Sequence, residues 1–450
     1  MALGERKARQ GELWVPMAVM TGHGTHPFYR RLNHILEQNR FDAFMEKLFA
    51  PFYSDRTGRP GIAPGVYGRM LMIGYFEGLD SERGIAWRCA DSMALREFLG
   101  LGMTTGTPDH STISGIRRKV SVEAHQAIFR WVLKVLSQTK LLKGQRLGLD
   151  ATTLEANAAM RSIVRRDIGE SYQAFLTELA HSSGIETPTR EDLARIDRNR
   201  PRKGSNDDWK SPTDEDARIT KMKDGRTHLA HKAEHAVDLD SGAVVAVTVQ
   251  PANAGDTQTM MATLCDTVET VRTLEQKGVN TDAMLQAVVA DKGYHSNESL
   301  LQVQELTMQS YIAEPDRGRR CWKGNREAQD AVYANRRRCR SARGGRLRRL
   351  RAERVERSFA HVYDTGGMRR VHLRGRDNIL KRVLVHIAGF NLSLILRKLY
   401  GAGTPRRFRD AYAAAWSWLL HRFTHGNDVH TAFTLHQIVP LPEIPVRMVA

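Results

Sequence analysis

Two stretches of this sequence end a short apolar run on an aspartate. Val288-Val289-Ala290 is partly β-branched and reads as a buried strand, and Asp291 follows it directly, ahead of Lys292, a glycine turn at Gly293 and a polar segment. Leu147-Gly148-Leu149-Asp150-Ala151-Thr152 repeats the construction. Open α/β sheets place ligands and reacting groups at the carboxyl ends of their strands, so two such aspartates point to one shared site. A third carboxylate would make it a metal site. Glu356, in Glu353-Arg354-Val355-Glu356-Arg357-Ser358-Phe359, is the candidate for that group, with Glu353 as the fallback. Hard divalent ions prefer carboxylate oxygen, and a pair of Mg²⁺ ions about 4 Å apart activates a water or 3′-hydroxyl and clamps an in-line displacement at phosphorus. Phosphodiester cleavage is the chemistry that Asp150, Asp291 and Glu356 would serve.

The charge balance agrees with a phosphate-rich partner. The 450 residues hold 68 Lys and Arg against 50 Asp and Glu, a formal net charge of +18. An Arg-rich excess of this size favours nucleic acid, since phosphate contacts dominate such affinities. The densest part runs from Arg317 to Arg357, including Arg319 and Arg320, and leads into the helix expected to carry Glu356. Arg336, Arg337, Arg338, Arg354, Arg357 and Lys292 are the candidate contacts to the DNA backbone. The four cysteines are too scattered for a disulfide framework or a CxxC metal site, which suggests a reducing cytosol. The amino-terminal segment lacks the apolar core of a signal peptide, and Ile379 to Leu396 is interrupted by Lys381, Arg382, His386 and Asn391. A soluble, cytoplasmic protein with no membrane partner is expected.

Three regions can be drawn. Residues 1–140 read as an all-helical amino-terminal domain for DNA binding. Apolar positions recur every three or four residues from about 25, with Pro60, Gly61, Pro64 and Gly65 as punctuation. Helix starts are expected at Ser81-Glu82-Arg83 and Asp109-His110-Ser111-Thr112, the second placing Arg117, Arg118 and Lys119 two turns on, either toward phosphates or as a solvated basic face. Residues 141–400 read as mixed α/β. A second strand is expected to pair back on the first after Asp150. A polar insertion over about 160–226, marked by Pro188, Pro201, Gly204 and Pro212, holds helices near Tyr172–Leu179 and Arg190–Arg198. A hairpin through Asp240-Ser241-Gly242, a helix from Asp256, a helix from Asn297 and a strand near Gln309 complete it. Ile379 to Leu399 should form one apolar helix, and residues 401–450 a helical tail over Ala411 to Phe423.

Leu149-Asp150-Ala151-Thr152, Ala290-Asp291-Lys292-Gly293-Tyr294 and Val355-Glu356-Arg357-Ser358-Phe359, with Ala388-Gly389-Phe390-Asn391-Leu392 beyond, resemble the DDE transposases of bacterial insertion sequences of the IS-four/IS-five group. Pro108-Asp109-His110-Ser111-Thr112 is similar to the end of that group's helical domain, and Lys221-Met222-Lys223-Asp224-Gly225 with His231-Lys232 to its central strands. The resemblance spans roughly residues 40 to 400. It implies a ribonuclease H-like core, Mg²⁺ with Mn²⁺ able to substitute, and DNA strand cleavage and transfer at terminal inverted repeats and target DNA. It also implies a nucleoid-associated protein acting as a homodimer on two element ends. One departure stands out: where the group carries Tyr, Arg and Lys around its glutamate, this chain has Arg349, Ala352 and Tyr363.

Two other functions are open at this stage. His231-Lys232-Ala233-Glu234-His235 matches the H-x-x-E-H pattern of inverted zinc metalloproteases, with His228 as a further ligand. On a helix both histidines would share one face, but the flanking residues read as strand. The other is a non-catalytic DNA-binding protein that keeps only the basic surface.

Overall fold

The computed structural model describes residues 26–410 except 55–60, 103, 200–203, 223, 280, 282, 283, 317 and 319. The helix expected over Ala411–Phe423 lies outside the described residues, as do Pro60, Pro201, Lys223 and Arg319.

Among the described residues, the first seven α-helices are α1 (Pro27–Gln38), α2 (Phe41–Phe49), α3 (Pro64–Glu77), α4 (Glu82–Asp91), α5 (Met93–Phe98), α6 (His110–Lys119) and α7 (Val122–Gln138). Both expected starts hold: Ser81 Oγ accepts from Gly84 N at the head of α4, and Asp109 accepts from Ser111 N and Thr112 N at the head of α6. Helix α3 is buried on every side through Phe76, as the centre of a helical layer requires, and its interior charge, Arg69, is paired with Asp42 (2.6 Å). Of the three basic residues ending α6, Arg117 is buried against Glu82 (2.8 Å), while Arg118 and Lys119 stay exposed.

Then come β1 (Arg146–Glu155), β2 (Val164–Arg165), α8 (Tyr172–Ser182), α9 (Arg190–Asn199), β3 (Trp209–Lys210), β4 (Arg218–Lys221), β5 (Thr227–Asp238), β6 (Val244–Pro251) and α10 (Asp256–Gln276). They are followed by β7 (Ala287–Ala290), α11 (Asn297–Glu305), β8 (Gln309–Ile312), α12 (Arg326–Arg340), α13 (Ala342–Phe359), a π-helical stretch over Ala360–Thr365, and α14 (Arg376–Tyr400). Residues 405–410 are helical and belong to a second unit that begins at Thr404.

A mixed sheet runs β4-β5-β1-β7-β8, with β6 sharing the outer edge of β5 with β4. The pairs β1·β5 and β5·β6 are antiparallel, and β1·β7 and β7·β8 are parallel. Residues 151–155 do not fold back as a second strand. Strand β1 continues through it to Glu155, because Ala151-Thr152-Thr153 offers no turn residue and pairs unbroken with β5 from Thr152↔Ala233 onward.

One face of the sheet packs Leu149, Val288 and Ile312 against Met260 and Leu264 of α10 and Leu300 and Val303 of α11. The other packs Leu239, Ala287, Val289 and Tyr311 against Leu347 of α13. Helix α14 lies on β6 and also against α3 and α7, so the helical layer and the sheet share one buried helix. Its polar interruptions are docking points: Lys381 Nζ donates to Arg117 O (3.1 Å), Arg382 Nη2 to Leu79 O (3.1 Å), and His386 Nε2 bonds Gly366 O (3.1 Å). Among the described residues one helix, beginning at Arg376, is long and apolar enough to cross a membrane, and 89% of its most apolar window is buried inside the protein.

Three buried or half-buried asparagines close the border strands. The Asn391 amide bonds both N and O of Val244 on β6 (3.0 and 2.8 Å), Asn335 does the same to Ile312 on β8 (3.0 and 2.8 Å), and Asn206 to Ile219 on β4 (2.7 and 2.9 Å). Each gives an outward-facing backbone pair the partners that a further strand would otherwise supply.

Candidate active site

Strands β1 and β7 run parallel with Gly148 opposite Val289, so two residues on, Asp150 and Asp291 stand side by side on the face toward α13. Asp291 lies just past the end of β7, and its Oδ1 accepts from Gly293 N (2.8 Å) to start the turn at Lys292–Tyr294. Asp150 Oδ1 accepts from Ala151 N (2.9 Å). Helix α13 approaches closely because Gly148 has no side chain: a Cβ there would meet Leu239 Cδ2 at 2.6 Å, Val355 Cγ2 at 3.1 Å and Arg351 Cγ at 3.2 Å.

That approach delivers Arg351 to the two carboxylates. Its Nε donates to Leu149 O (3.0 Å), and its Nη2 lies 2.8 Å from Asp150 Oδ2 and 3.9 Å from Asp291 Oδ2. The Nη2 atom is buried and makes no directed hydrogen bond, so its hold on both carboxylates is a charge contact. Burial pushes the Asp150 carboxyl up to about 6, against the pull of Arg351 and the Ala151 N–H, and the charges of Asp291 and Glu356 push the same way as burial.

Glu356 therefore acts on Asp150 through its field, yet it does not join the pair. Among the described residues no three acidic, imidazole or thiol side chains gather closely enough to hold a metal ion as they stand. Glu353, the fallback, is exposed and bound to Arg357 (2.8 Å). As donors, the two aspartates suit a hard divalent ion: both are carboxylates, both come from the rigid sheet, and both already face one cation.

A second polar cluster lies on the opposite face of the sheet. Buried Lys232 Nζ donates to Asp256 Oδ1 (2.6 Å), Thr259 Oγ1 (2.9 Å) and Ala254 O (3.2 Å), and Thr259 Oγ1 donates to Glu234 Oε2 (2.9 Å). Burial raises Glu234 to about 7 against the Thr259 hydrogen bond and the Lys232 charge. This cluster adjoins the aspartate pair: a Cβ at Gly293 would collide with Asp256 Oδ2 and touch Asp291 Oδ1 (3.0 Å). Sequence reasoning took Asp256 only as a helix start and Arg351 only as one of a basic run, and no local pattern marks either as a neighbour of the site.

The zinc-protease pattern fails here. His231 to His235 lies on strand β5, where residues four apart are separated by about 13 Å and Glu234 points to the other face. His231 Nε2 is held by Asp214 Oδ2 (2.9 Å), and His235 bonds Ser358 Oγ (2.9 Å) and Tyr363 OH (2.7 Å).

The arginines expected to meet DNA divide. Arg336 is bound to Glu314 (2.8 Å), and Arg338 donates to Ser310 O and Oγ (both 2.8 Å). Arg354 is half-buried, with its stem facing Gly242, and Arg357 is paired with Glu353. Arg337, Arg340, Arg343, Arg346, Arg348, Arg349 and Lys292 are exposed.

The Transposase domain (DUF772) family matches residues 19–119, and the Transposase DDE domain family matches residues 185–392. The chain belongs to the DDE transposases. It is thus an insertion-sequence transposase, an enzyme that binds DNA and cleaves and transfers its strands with a divalent metal ion. No curated protein and no solved structure matches the transposase. The DDE match takes in Asp291 and Glu356 and begins after Asp150, whose membership in the site rests on the β1·β7 pairing.

Proposed function

We propose that Asp150, Asp291 and Glu356 are the catalytic carboxylates of this transposase, on a ribonuclease H-like core. The observation that carries this reading is the convergence of Asp150 and Asp291 on one cationic centre from neighbouring parallel strands. The order β6-β5-β1-β7-β8, three strands antiparallel and two parallel, supports the core assignment. Glu356 follows Arg351 on α13, and closing of that helix or its side chain on the pair would complete the set.

Mg²⁺, with Mn²⁺ as a substitute, is the ion such an all-oxygen donor set suits, and when bound it supplies Lewis acidity at the scissile phosphate. The chain's own part is to fix two carboxylates on a sheet, keep the site at the protein surface, and offer cations for the DNA backbone. Lys292 beside Asp291, and Arg337, Arg340, Arg346 and Arg349 on α12 and α13, are the exposed cations suited to that role. The helical layer over 26–140 takes part in DNA binding, the 160–226 segment is an insertion in the catalytic domain spanning 141–400, and two copies of the cytoplasmic, nucleoid-associated protein act on the terminal inverted repeats. The motifs around Asp150 and Asp291 resemble those of the IS-four/IS-five group, while the residues spaced around Glu356 depart from it.

Asp150→Ala, Asp291→Ala and Glu356→Ala should each abolish metal-dependent cleavage of a terminal-repeat duplex while leaving binding of that duplex in place. Normal cutting by either aspartate variant would refute the site. Normal cutting by Glu356→Ala, with loss in Glu353→Ala, would transfer the third role to Glu353.

A further inference from the structure

We propose that Arg351 is a resident counter-cation of the Asp150–Asp291 pair, and that a divalent ion binds there only by displacing its guanidinium. This rests on the reading of the two aspartates as metal ligands. Nη2 stands 2.8 Å from Asp150 Oδ2 and 3.9 Å from Asp291 Oδ2, on the side of both carboxylates that faces α13. A divalent ion bonded to both must come within about 2.0–2.6 Å of their oxygens, which puts it in the space the nitrogen takes. Two cations a few ångströms apart in a site of which Arg351 leaves only 12% of its side chain to solvent repel strongly. They cannot share it.

The arginine is built into this position. Its stem crosses Gly148, the one residue type that leaves room for Arg351 Cγ, and its Nε is tied to Leu149 O (3.0 Å). The tip is held differently: Nη2 meets the two carboxylates through its charge, with no well-aligned hydrogen bond to a fixed backbone group. Arg354, one turn further on the same helix, has its stem against the Gly242 turn and provides a control for charge alone. Arg351 is on this account a positioning residue: it keeps two like charges together while no metal is bound and sets the concentration at which metal enters.

The test uses the full-length protein without DNA and Mn²⁺ as probe, with free ion counted by electron paramagnetic resonance. Arg351→Leu should bind Mn²⁺ at least about fivefold more tightly than wild type, through loss of a competing charge at close range. Arg354→Leu should change affinity by less than about twofold, the effect of a screened, more distant charge. A smaller gain in Arg351→Leu, or an equal gain in Arg354→Leu, overturns the proposal. Asp150→Asn separates the two levels of argument: if it binds Mn²⁺ as wild type does, the metal-ligand reading itself fails, whereas loss of binding there without a gain in Arg351→Leu defeats only the role of the arginine. Should Arg351→Leu fail to fold, the wild-type protein decides. Its Arg351 Nε–H resonance, assigned by comparison with Arg351→Lys, should shift on titration with Mg²⁺, and a resonance unmoved at saturation overturns the proposal.

Discussion

His235 and Tyr363 share a hydrogen bond of 2.7 Å that joins the central strand β5 to the π-helical stretch after α13. Ser358 Oγ donates to Val355 O (2.8 Å) and so accepts from His235 Nδ1 (2.9 Å), which leaves Nε2 as the acceptor for the Tyr363 hydroxyl. Burial lowers His235 to about 3, so the ring is neutral in that tautomer. His235 pairs across the ladder with Asp150, so the network fixes α13 against β5, the neighbour of the strand that carries the first aspartate. Tyr363→Phe leaves a buried ring nitrogen without a donor and should cost about 1–3 kcal/mol in urea unfolding. A change below about 0.5 kcal/mol, the range of a neutral surface substitution, would show that the bond does not tie the helix down.

Gly148→Ala should destabilise the transposase by about 1–3 kcal/mol, because the added methyl meets Leu239, Val355 and Arg351 in a packed interface. The same variant should lower cleavage more than its stability loss explains, since pushing α13 outward moves Glu356 and Arg351 together. Unaltered cleavage at a temperature where the variant is fully folded would argue that the closeness of α13 is immaterial.

Glu234 gives a pH signature. Its folded pKa of about 7 exceeds the ordinary 4.5, so the neutral form favours the fold. That contribution is fully present below about pH 4.5 and is lost as pH rises through about 7. Glu234→Gln keeps the neutral shape throughout. Between those limits the stability difference should therefore move in favour of the variant as pH rises, by up to about 1.4 kcal/mol per unit. Denaturation at a series of pH values checks this, and a constant difference would place the titration elsewhere.

Salt dependence separates the arginines. Arg337→Ala should weaken terminal-repeat binding and reduce the log–log salt slope by about one, as loss of a single phosphate contact does. Arg336→Ala and Arg338→Ala should change the slope less, because Glu314 and Ser310 already engage those side chains. Equal slopes in all three would mean that DNA binding breaks the protein contacts of Arg336 and Arg338.

The aspartates were legible because each follows an apolar run, and the α10 crossover makes their strands parallel neighbours. The strand's continuation past Asp150 was less so: the apolar run stops where β7 no longer covers that edge, while the ladder with β5 goes on. The histidine pattern misled because it presumes a helical period, and on a strand alternation separates Glu234 from both histidines. Neither a phosphate-facing nor a solvated place, the two expected for Arg117, holds: Glu82, thirty-five positions earlier, buries it. Arg351 carried no local signal, since one arginine among many is singled out only by where Gly148 lets its helix rest.

The asparagine amides on β4, β6 and β8 make the sheet self-limiting. A neighbouring molecule that tried to add its own strand would find a backbone rung on each border already satisfied from within, so templated growth between copies has nowhere to start.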